Sequence, residues 1–584
     1  MAKIVLWNSM ATRKRSPTDG FLENGLTTLK SFLEDNGHEA EIADWQKNDF
    51  YASLCPKIIL SLNRKSTELI FYFGRKNSFL AKVYFPIFSL IQNTVSYFQK
   101  TTMEKKLKEL GDRIIKSGVK ILGVKVWYGE AFAFSNFLAK YIKEKDSSVL
   151  TIAGGFHVTL YEEDFLRNSD FDLGVVSDGE KPLKIILDIS QSNLKNWNKE
   201  KVLFQIRKMA EEGSLKNIVY RNGSEIKKTK RYMPDMQNKS VPKYDKAALE
   251  GKLKIHIVLD SSGCPWGKCN FCAHSHFYSG YFPRPIKDII KEIKIMASQG
   301  IGLFKFAGSE TPPEFGAKIA KEIKNENLNI KYSIGCRAIH NIGDSGKLYD
   351  LTVRQFEEML VSGLVAIFMG GECGNDKINK EIMNKEANKN DIINTFKAFR
   401  LAQKNTGIKA YASLAIIYPS PILPGISLKD IYEDDLELIK TIMPDSAIIS
   451  PSSPFKNTNW YKEKKFGFDI PEDFIRIVMK YEYVLYKPPS LWPSLGKISL
   501  NGMDFRSMLE ECGKMRKAVE EELKIPTDLT DEYFLIIESS GYKGKEGIAR
   551  FKKETSIDLA SGDYRNIERM TQEANKYGEN LVRR

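Results

Sequence analysis

Cys264-Pro-Trp-Gly-Lys-Cys269-Asn-Phe-Cys272 constrains this chain more than any other stretch, because a C-x4-C-x2-C run has no ordinary structural explanation in a protein of 584 residues. It follows an apolar, β-branched run, Ile255-His-Ile-Val-Leu-Asp260, and then Ser261-Ser-Gly263. That is the pattern of a buried strand delivering a ligand loop. The loop asks for a metal. Structural zinc wants four closed ligands, and His274 or His276 could supply the fourth. Against zinc, such folds pair two C-x2-C knuckles, and no second pair exists here. A [4Fe-4S] cluster held by three thiolates is the other reading, and it keeps one iron open, as a substrate-binding cluster must.

The remaining cysteines, Cys55, Cys336, Cys373 and Cys512, are isolated. No disulfide framework follows, and a reducing cytoplasm is expected. Lys and Arg exceed Asp and Glu by 88 to 74, a net charge of +14. The lysines are spread along helix-like faces and do not form a basic tail, so a solvated surface is preferred to a nucleic-acid site, with an anionic substrate or acidic peptide left open. Met1-Ala-Lys-Ile-Val-Leu-Trp7 starts a strand at once, and no signal peptide is expected. The most apolar window, Phe79 to Phe98, is interrupted by Lys82, Pro86, Gln92 and Asn93. It reads as a buried or lid helix and not as a membrane span.

Along residues 1–195, strands and helices alternate: Lys3–Asn8, a helix over 21–36 ending at Gly37, His38–Asp44, an apolar insertion at about 50–100, a helix over 103–117, Lys120–Val126, a helix over 131–145, Val149–Ala153 and Asp172–Val176. Alternation of this kind specifies a Rossmann-like, doubly wound parallel sheet. Its ligands sit at the carboxyl ends of the strands, where Trp127-Tyr-Gly129, Gly154-Gly155 and Asp178-Gly-Glu180 fall. A generic flavodoxin-like sheet would carry similar turns. Residues 196–250 read as a linker with one hairpin at Asn222-Gly223.

The runs NGHEAEIAD, KILGVKV, GGFHVT and DLGVVSDGEKP resemble the cobalamin-binding domain of cobalamin-dependent radical SAM enzymes. The resemblance implies that Gly154, Gly155, Gly179 and Glu180 line the cobalamin site, and that the glycine pair lets backbone approach the nucleotide tail. Cobalamin mutases and methionine synthases offer cobalt a histidine through D-x-H-x-x-G. Neither His38 nor His157 has that context, so no protein histidine is expected on cobalt. Trp127 and Tyr128 are candidates to cover its lower face, with core packing as the alternative.

Residues 251–460 resemble the radical SAM domain, a partial (β/α)6 barrel in which the cluster loop follows the first strand. The family usually spaces its cysteines C-x3-C-x2-C, so the first interval here is one residue longer, and a small bulge at Trp266-Gly267 is expected to absorb it. The resemblance implies cluster ligands Cys264, Cys269 and Cys272. It implies that Phe271 packs beside the adenosyl group and that Gly308-Ser309-Glu310 holds the methionyl amine of S-adenosylmethionine. By the same likeness, Arg337 faces the methionyl carboxylate and Glu372 reaches the ribose or amine. Each acid has an alternative as a loop cap, and Arg337 as its structural ion-pair partner. Cys336 and Cys373 read as buried thiols; His157, His256 and His340 read as hydrogen-bonded core or turn residues. Residues 461–584 are expected to form a helix-rich C-terminal domain that could close the barrel mouth, with Trp492, Tyr533 and Phe534 as lid or core contacts.

Together these features imply a cobalamin-dependent radical SAM methyltransferase acting on an unactivated carbon. An external flavodoxin- or ferredoxin-type electron donor and a small-molecule or peptide substrate are expected. A cobalamin-dependent cyclase or rearranging enzyme, and a non-enzymatic cobalamin- or metal-binding protein, are the alternatives.

Overall fold

A computed structural model describes residues 1–76, 78–278, 280–481 and 494–583. The chain divides into two compact units. The first comprises Met1–Lys252, Asp473–Tyr486 and Lys553–Glu568, and the second comprises Leu253–Glu472, Lys487–Lys552 and Arg569–Arg584.

The first unit is built on β1 (Lys3–Asn8), β2 (Glu39–Asp44), β3 (Ile121–Lys125), β4 (Leu150–Gly154), β5 (Leu173–Val175), β6 (Ile218–Asn222) and β7 (Glu225–Lys228), in the order β2-β1-β3-β4-β5-β6-β7. The first five pair in parallel. Ile4, Leu6, Ile121, Leu150, Ile152 and Leu173 lie at or below 2% exposure in one core, as a sheet covered by helices on both faces requires. The helix before β2 runs Asn24–Asp35 and stops at Gly37, whose φ of +83° suits a left-handed terminus. The 2-1-3-4-5 order places the topological switch point between β1 and β3.

Three expectations change. The stretch 196–250 is more than a linker: helix Lys199–Glu211 packs against the sheet, and β6 and β7 extend it by antiparallel pairing to β5. The apolar insertion forms two long helices, Lys57–Lys76 and Ser78–Lys116, the second absorbing the helix expected at 103–117. Its Phe79–Phe98 window is largely exposed and not buried. Residues 461–584 are not a body of their own, because 473–486 and 553–568 complete the first unit.

The second unit holds a parallel sheet of β8 (Ile255–Val258), β11 (Leu303–Phe306), β12 (Lys331–Arg337), β13 (Leu364–Glu372), β14 (Tyr411–Ile417) and β15 (Ser446–Ser450), paired in that order. This is an open, partial (β/α)6 barrel. A two-residue ladder, β9 (Ser261–Ser262) with β10 (Phe282–Pro283), closes the base of the cysteine loop. Helix Asp531–Ser539 packs across β12, β13 and β14. Phe534, fully buried, stacks at 4.4 Å on Tyr411, the first residue of β14. Leu529 N–H donates to the Ser446 hydroxyl at the start of β15. This segment therefore covers the amino ends of the strands, not the mouth expected of a lid. Tyr533 packs edge-on against Phe551, and Trp492 lies outside the described residues.

Candidate active site

The cysteine loop leaves β8 through Gly263, whose φ is +78° and where a Cβ would run into the carbonyl of Gly280. Only glycine allows the two ends of the loop to meet so closely. The longer first interval is taken up by bends at Pro265 and Trp266 and a left-handed Gly267, φ +59°. The loop is anchored on the far side by a π-helix, Ile378–Met383, and the turn after it. Asn270 N–H donates to Met383 O at 3.0 Å and its side-chain amide to Ile382 O at 3.0 Å. Trp266 Nε1 donates to Asn384 O at 2.7 Å, and Asn384 returns a bond to Lys268 O. Phe271 packs at 5.5 Å on Trp460.

Behind the loop stands Asp260, fully buried at the end of β8. Its carboxylate accepts from Gly308 N–H at 2.6 Å and from the Thr311 hydroxyl at 2.9 Å. Burial lifts its pKa to about 6, against the pull of those donors. Ser261 donates to Glu310 O at 3.0 Å. The first strand thus fixes the Gly308-Ser309-Glu310 turn after the second. Glu310, 4% exposed, accepts from Arg337 Nε at 2.7 Å and from the Cys264 thiol at 3.2 Å. Arg337 also donates to Glu386 at 3.0 Å. Glu372 closes β13 at a bulge with φ +63° and accepts from Lys385 at 2.8 Å. Burial opposes the charge on Lys385, but Glu372 holds its ammonium above the ordinary range.

The expected residues Cys264, Glu310 and Arg337 are therefore in contact, with Gly308 and Ser309 on the same turn and Glu372 on a neighbouring strand end. Burial pushes the Cys269 thiol up to about 12, with Glu372, Cys272 and Cys264 adding to the rise and Lys385 opposing it. Among the described residues, no three His, Cys, Asp or Glu side chains converge on a point for a single ion. Thiolates of a cubane occupy separate corners, so the relevant fit is the donor set: three part-exposed thiols on one anchored loop, which suits iron–sulfur binding. His274 Nδ1 lies 3.4 Å from the Ser309 hydroxyl; the His276 side chain lies outside the described residues. Cys336 and Cys373 are buried. His256 bonds Glu292 at 2.7 Å and His340 bonds Asp391 at 3.3 Å.

Asp260, Lys385, Glu386 and the π-helix were missed in the sequence. Asp260 had a signal, an acid ending the strand before the loop. The others had none, since their roles depend on partners distant in sequence.

In the first unit, Trp127 stands at the switch point: its N–H donates to Ser9 Oγ at 3.0 Å and its indole N–H to Asn8 Oδ1 at 3.3 Å. Lys125 Nζ lies 5.0 Å from its ring, held by Glu23 at 2.7 Å. The Arg15 guanidinium covers the Tyr128 ring at 4.1 Å and donates to its carbonyl. Gly155, φ +95°, lies where a Cβ would meet Lys125 Cγ at 3.3 Å and Val126 O at 3.4 Å. Gly155 thus lets β4 turn tightly against the end of β3, whereas a Cβ at Gly154 would make only ordinary contact with Val175. Gly179 caps the helix beginning at Glu180. Glu180 accepts from Lys239 at 2.7 Å, and Asp178 lies 3.4 Å from the same ammonium. Lys239 falls in the expected linker and was not anticipated. His38 bonds Asp188 at 3.1 Å. His157 is packed among Phe132, Tyr161 and Phe165, and burial takes its pKa down to about 3.

Residues 258–435 match the radical SAM superfamily model. No curated protein matches the chain in sequence. Among solved structures, the radical S-adenosylmethionine methyltransferase TsrM from Kitasatospora setae, with cobalamin and a [4Fe-4S] cluster bound, shares 13% identity over 98% of this chain and 100% of its own, TM-score 0.60. TsrM with tryptophan substrate and the SAM analogue aza-SAM shares 12% over 77% and 73%, TM-score 0.52. The cobalamin-dependent S-adenosylmethionine radical enzyme OxsB, with aqua-cobalamin bound, shares 14% over 100% of this chain and 80% of its own, TM-score 0.60. Residues 258–435 thus carry the match to the radical SAM superfamily model, in a chain whose fold is similar to those of TsrM and OxsB.

Proposed function

We propose that this chain is a cobalamin-dependent radical SAM methyltransferase that methylates an unactivated carbon, using an external flavodoxin- or ferredoxin-type electron donor. The observation that carries the reading is the junction of Cys264, Glu310 and Arg337 at the carboxyl ends of the partial barrel. The likeness to TsrM over both units supports it. When bound, the cluster supplies the electron that splits S-adenosylmethionine, and cobalamin carries the methyl group. Cys264, Cys269 and Cys272 would hold the cluster, and metal binding would exchange the Cys264 proton for iron. Asp260 keeps the Gly308–Thr311 turn in place. Glu310, Glu372 and Arg337 are the groups that would meet the methionyl amine, the ribose and the carboxylate, and Phe271 the adenosyl ring. In the first unit, Trp127 and Tyr128 would cover the lower face of cobalamin at the switch point, with Gly154, Gly155, Gly179 and Glu180 along the strand ends. The protein supplies position and dryness; the cofactors carry the bond-breaking.

Anaerobic reconstitution with iron, sulfide and hydroxocobalamin tests this. We expect a [4Fe-4S] signal that Cys264→Ala, Cys269→Ala and Cys272→Ala each abolish, and label from methyl-labelled S-adenosylmethionine in the product. A cluster that survives Cys264→Ala would overturn the ligand assignment. A deoxyadenosine-producing enzyme whose product carries no label would instead be a rearranging enzyme, a distinction worth testing because OxsB is described only as a radical enzyme.

A further inference from the structure

The two insertion helices, Lys57–Lys76 and Ser78–Lys116, are amphipathic in the wrong sense for a water-facing hairpin. A row of uncharged polar side chains points inward. Asn63, Thr67 and Gln99 are completely buried, and Ser66 nearly so. Asn63 donates to Ser561 O at 2.6 Å, Arg64 to Asp558 at 2.9 Å, Gln92 to Ala560 O at 3.1 Å, and Arg13 to Gln99 at 2.9 Å. All of these partners belong to the first unit.

Leu60 and Val95 are buried, but most of the large apolar side chains between residues 58 and 90 point outward. Ile58, Leu62 and Tyr72 on the first helix and Val83, Ile87 and Leu90 on the second are between 54% and 86% exposed. Val83, Ile87 and Leu90 recur at the four- and three-residue steps of a helix face, and Ile58, Leu62, Leu69 and Tyr72 share one face of the first helix, so each helix carries an apolar stripe, interrupted on the first by Lys65. An exposed apolar patch of this length marks an interaction surface.

Charge decides what the surface fits. Residues 57–100 contain Lys57, Arg64, Lys65, Arg75, Lys76, Lys82 and Lys100 against the single acid Glu68. Arg64 pairs inward with Asp558, and Glu68 pairs with Arg64 at 3.2 Å, so neither sets the charge of the outer face. Lys57, Lys65, Lys82 and Lys100 are exposed. A partner protein would bury those ammonium groups in an apolar interface, where lysine is disfavoured. A bilayer surface takes both: apolar side chains enter the acyl boundary while lysines reach the anionic headgroups. No described helix is long and apolar enough to cross a membrane, which leaves the helices to lie in the interface. Along the first helix, Leu69, Phe71, Tyr72 and Ile557 line a pocket of about 600 Å³ whose rim carries Lys65, Lys553 and Glu68, an apolar space beside two ammonium groups and one carboxylate.

We propose that the outer face of the 57–100 hairpin docks on the surface of an anionic phospholipid bilayer. The inference is independent of the reaction the chain catalyses.

The test is flotation of the full-length chain with vesicles of phosphatidylcholine, alone or mixed with phosphatidylglycerol. Binding to the mixed vesicles that weakens with salt is expected. Val83→Glu with Leu90→Glu should abolish it, and both positions are exposed enough for the variant to keep the wild-type circular dichroism melt. Lys65→Glu and Lys82→Glu, which leave the apolar stripe intact, should each weaken binding by about fivefold or more. The proposal fails if the wild type stays with the unbound fraction, or if the Val83→Glu, Leu90→Glu variant floats as well as the wild type. It also fails if light scattering without vesicles shows a dimer that this variant splits, because a second copy would then occupy the face.

Discussion

Glu310 and Arg337 meet at 2.7 Å, and that pair decides how the centre is interpreted. Two accounts of it differ in outcome. As a purely structural ion pair it would contribute to folding alone; as the grip on the methionyl group it would contribute to ligand affinity as well. Removing one partner from a buried pair leaves the other charge uncompensated, at a cost of about 3 kcal/mol or more. Arg337→Met should therefore lower the urea midpoint, and Glu310→Gln should do the same. Removing both charges together leaves only the part-exposed Glu386 without Arg337, so the double variant should regain most of the stability. If the pair grips S-adenosylmethionine, the double variant will still bind it at least tenfold more weakly by calorimetry on the reconstituted protein. Recovery of affinity along with stability would make the pair structural.

At the scale of elements, the cysteine loop depends on a backbone contact. Gly263→Ala should place a methyl group against the Gly280 carbonyl, and a left-handed alanine adds roughly 1–2 kcal/mol of its own strain. The loop base would open while the distant sheet stays intact. The expected result is a normal far-UV spectrum with less iron retained after anaerobic desalting, and unchanged iron would show that the pinch is dispensable. What was legible in the sequence follows the same division between local and distant causes. The strand runs of residues 1–195, the Gly37 helix stop, the strand before the cysteine loop and the loop itself are set by local periodicity and turn residues, and they stand where they were read. The bends at Pro265 and Trp266 and the left-handed Gly267 likewise follow from local composition. The hairpin at Asn222-Gly223 was legible, but its antiparallel addition to β5 was not, because pairing with a strand more than forty residues earlier leaves no local signal. Nor was the outward face of the 57–100 helices. Periodicity shows that a helix has two faces, but which face turns inward depends on partners such as Asp558, nearly five hundred residues away.

At the scale of the whole molecule, the last hundred residues separate two descriptions of this chain that make opposite predictions. A self-contained C-terminal domain would leave residues 1–460 able to fold without it. The observed division assigns 553–568 to the first unit and 487–552 with 569–584 to the second. In the first unit, truncation at 460 would strip Arg64 of Asp558, Lys14 N–H of the Tyr564 hydroxyl, and Asn63 of the Ser561 carbonyl. In the second it would remove Asp531 from the buried Lys305 ammonium, and Asn575 and Glu579 from Lys254. The orphaned Lys305 alone costs about 3–5 kcal/mol, a large share of the stability of an ordinary domain. Residues 1–460 should therefore show no cooperative thermal transition and be digested rapidly by a protease that spares the full chain. A sharp melt and a protease-resistant 1–460 fragment would mean that these helices only cover two units already complete without them.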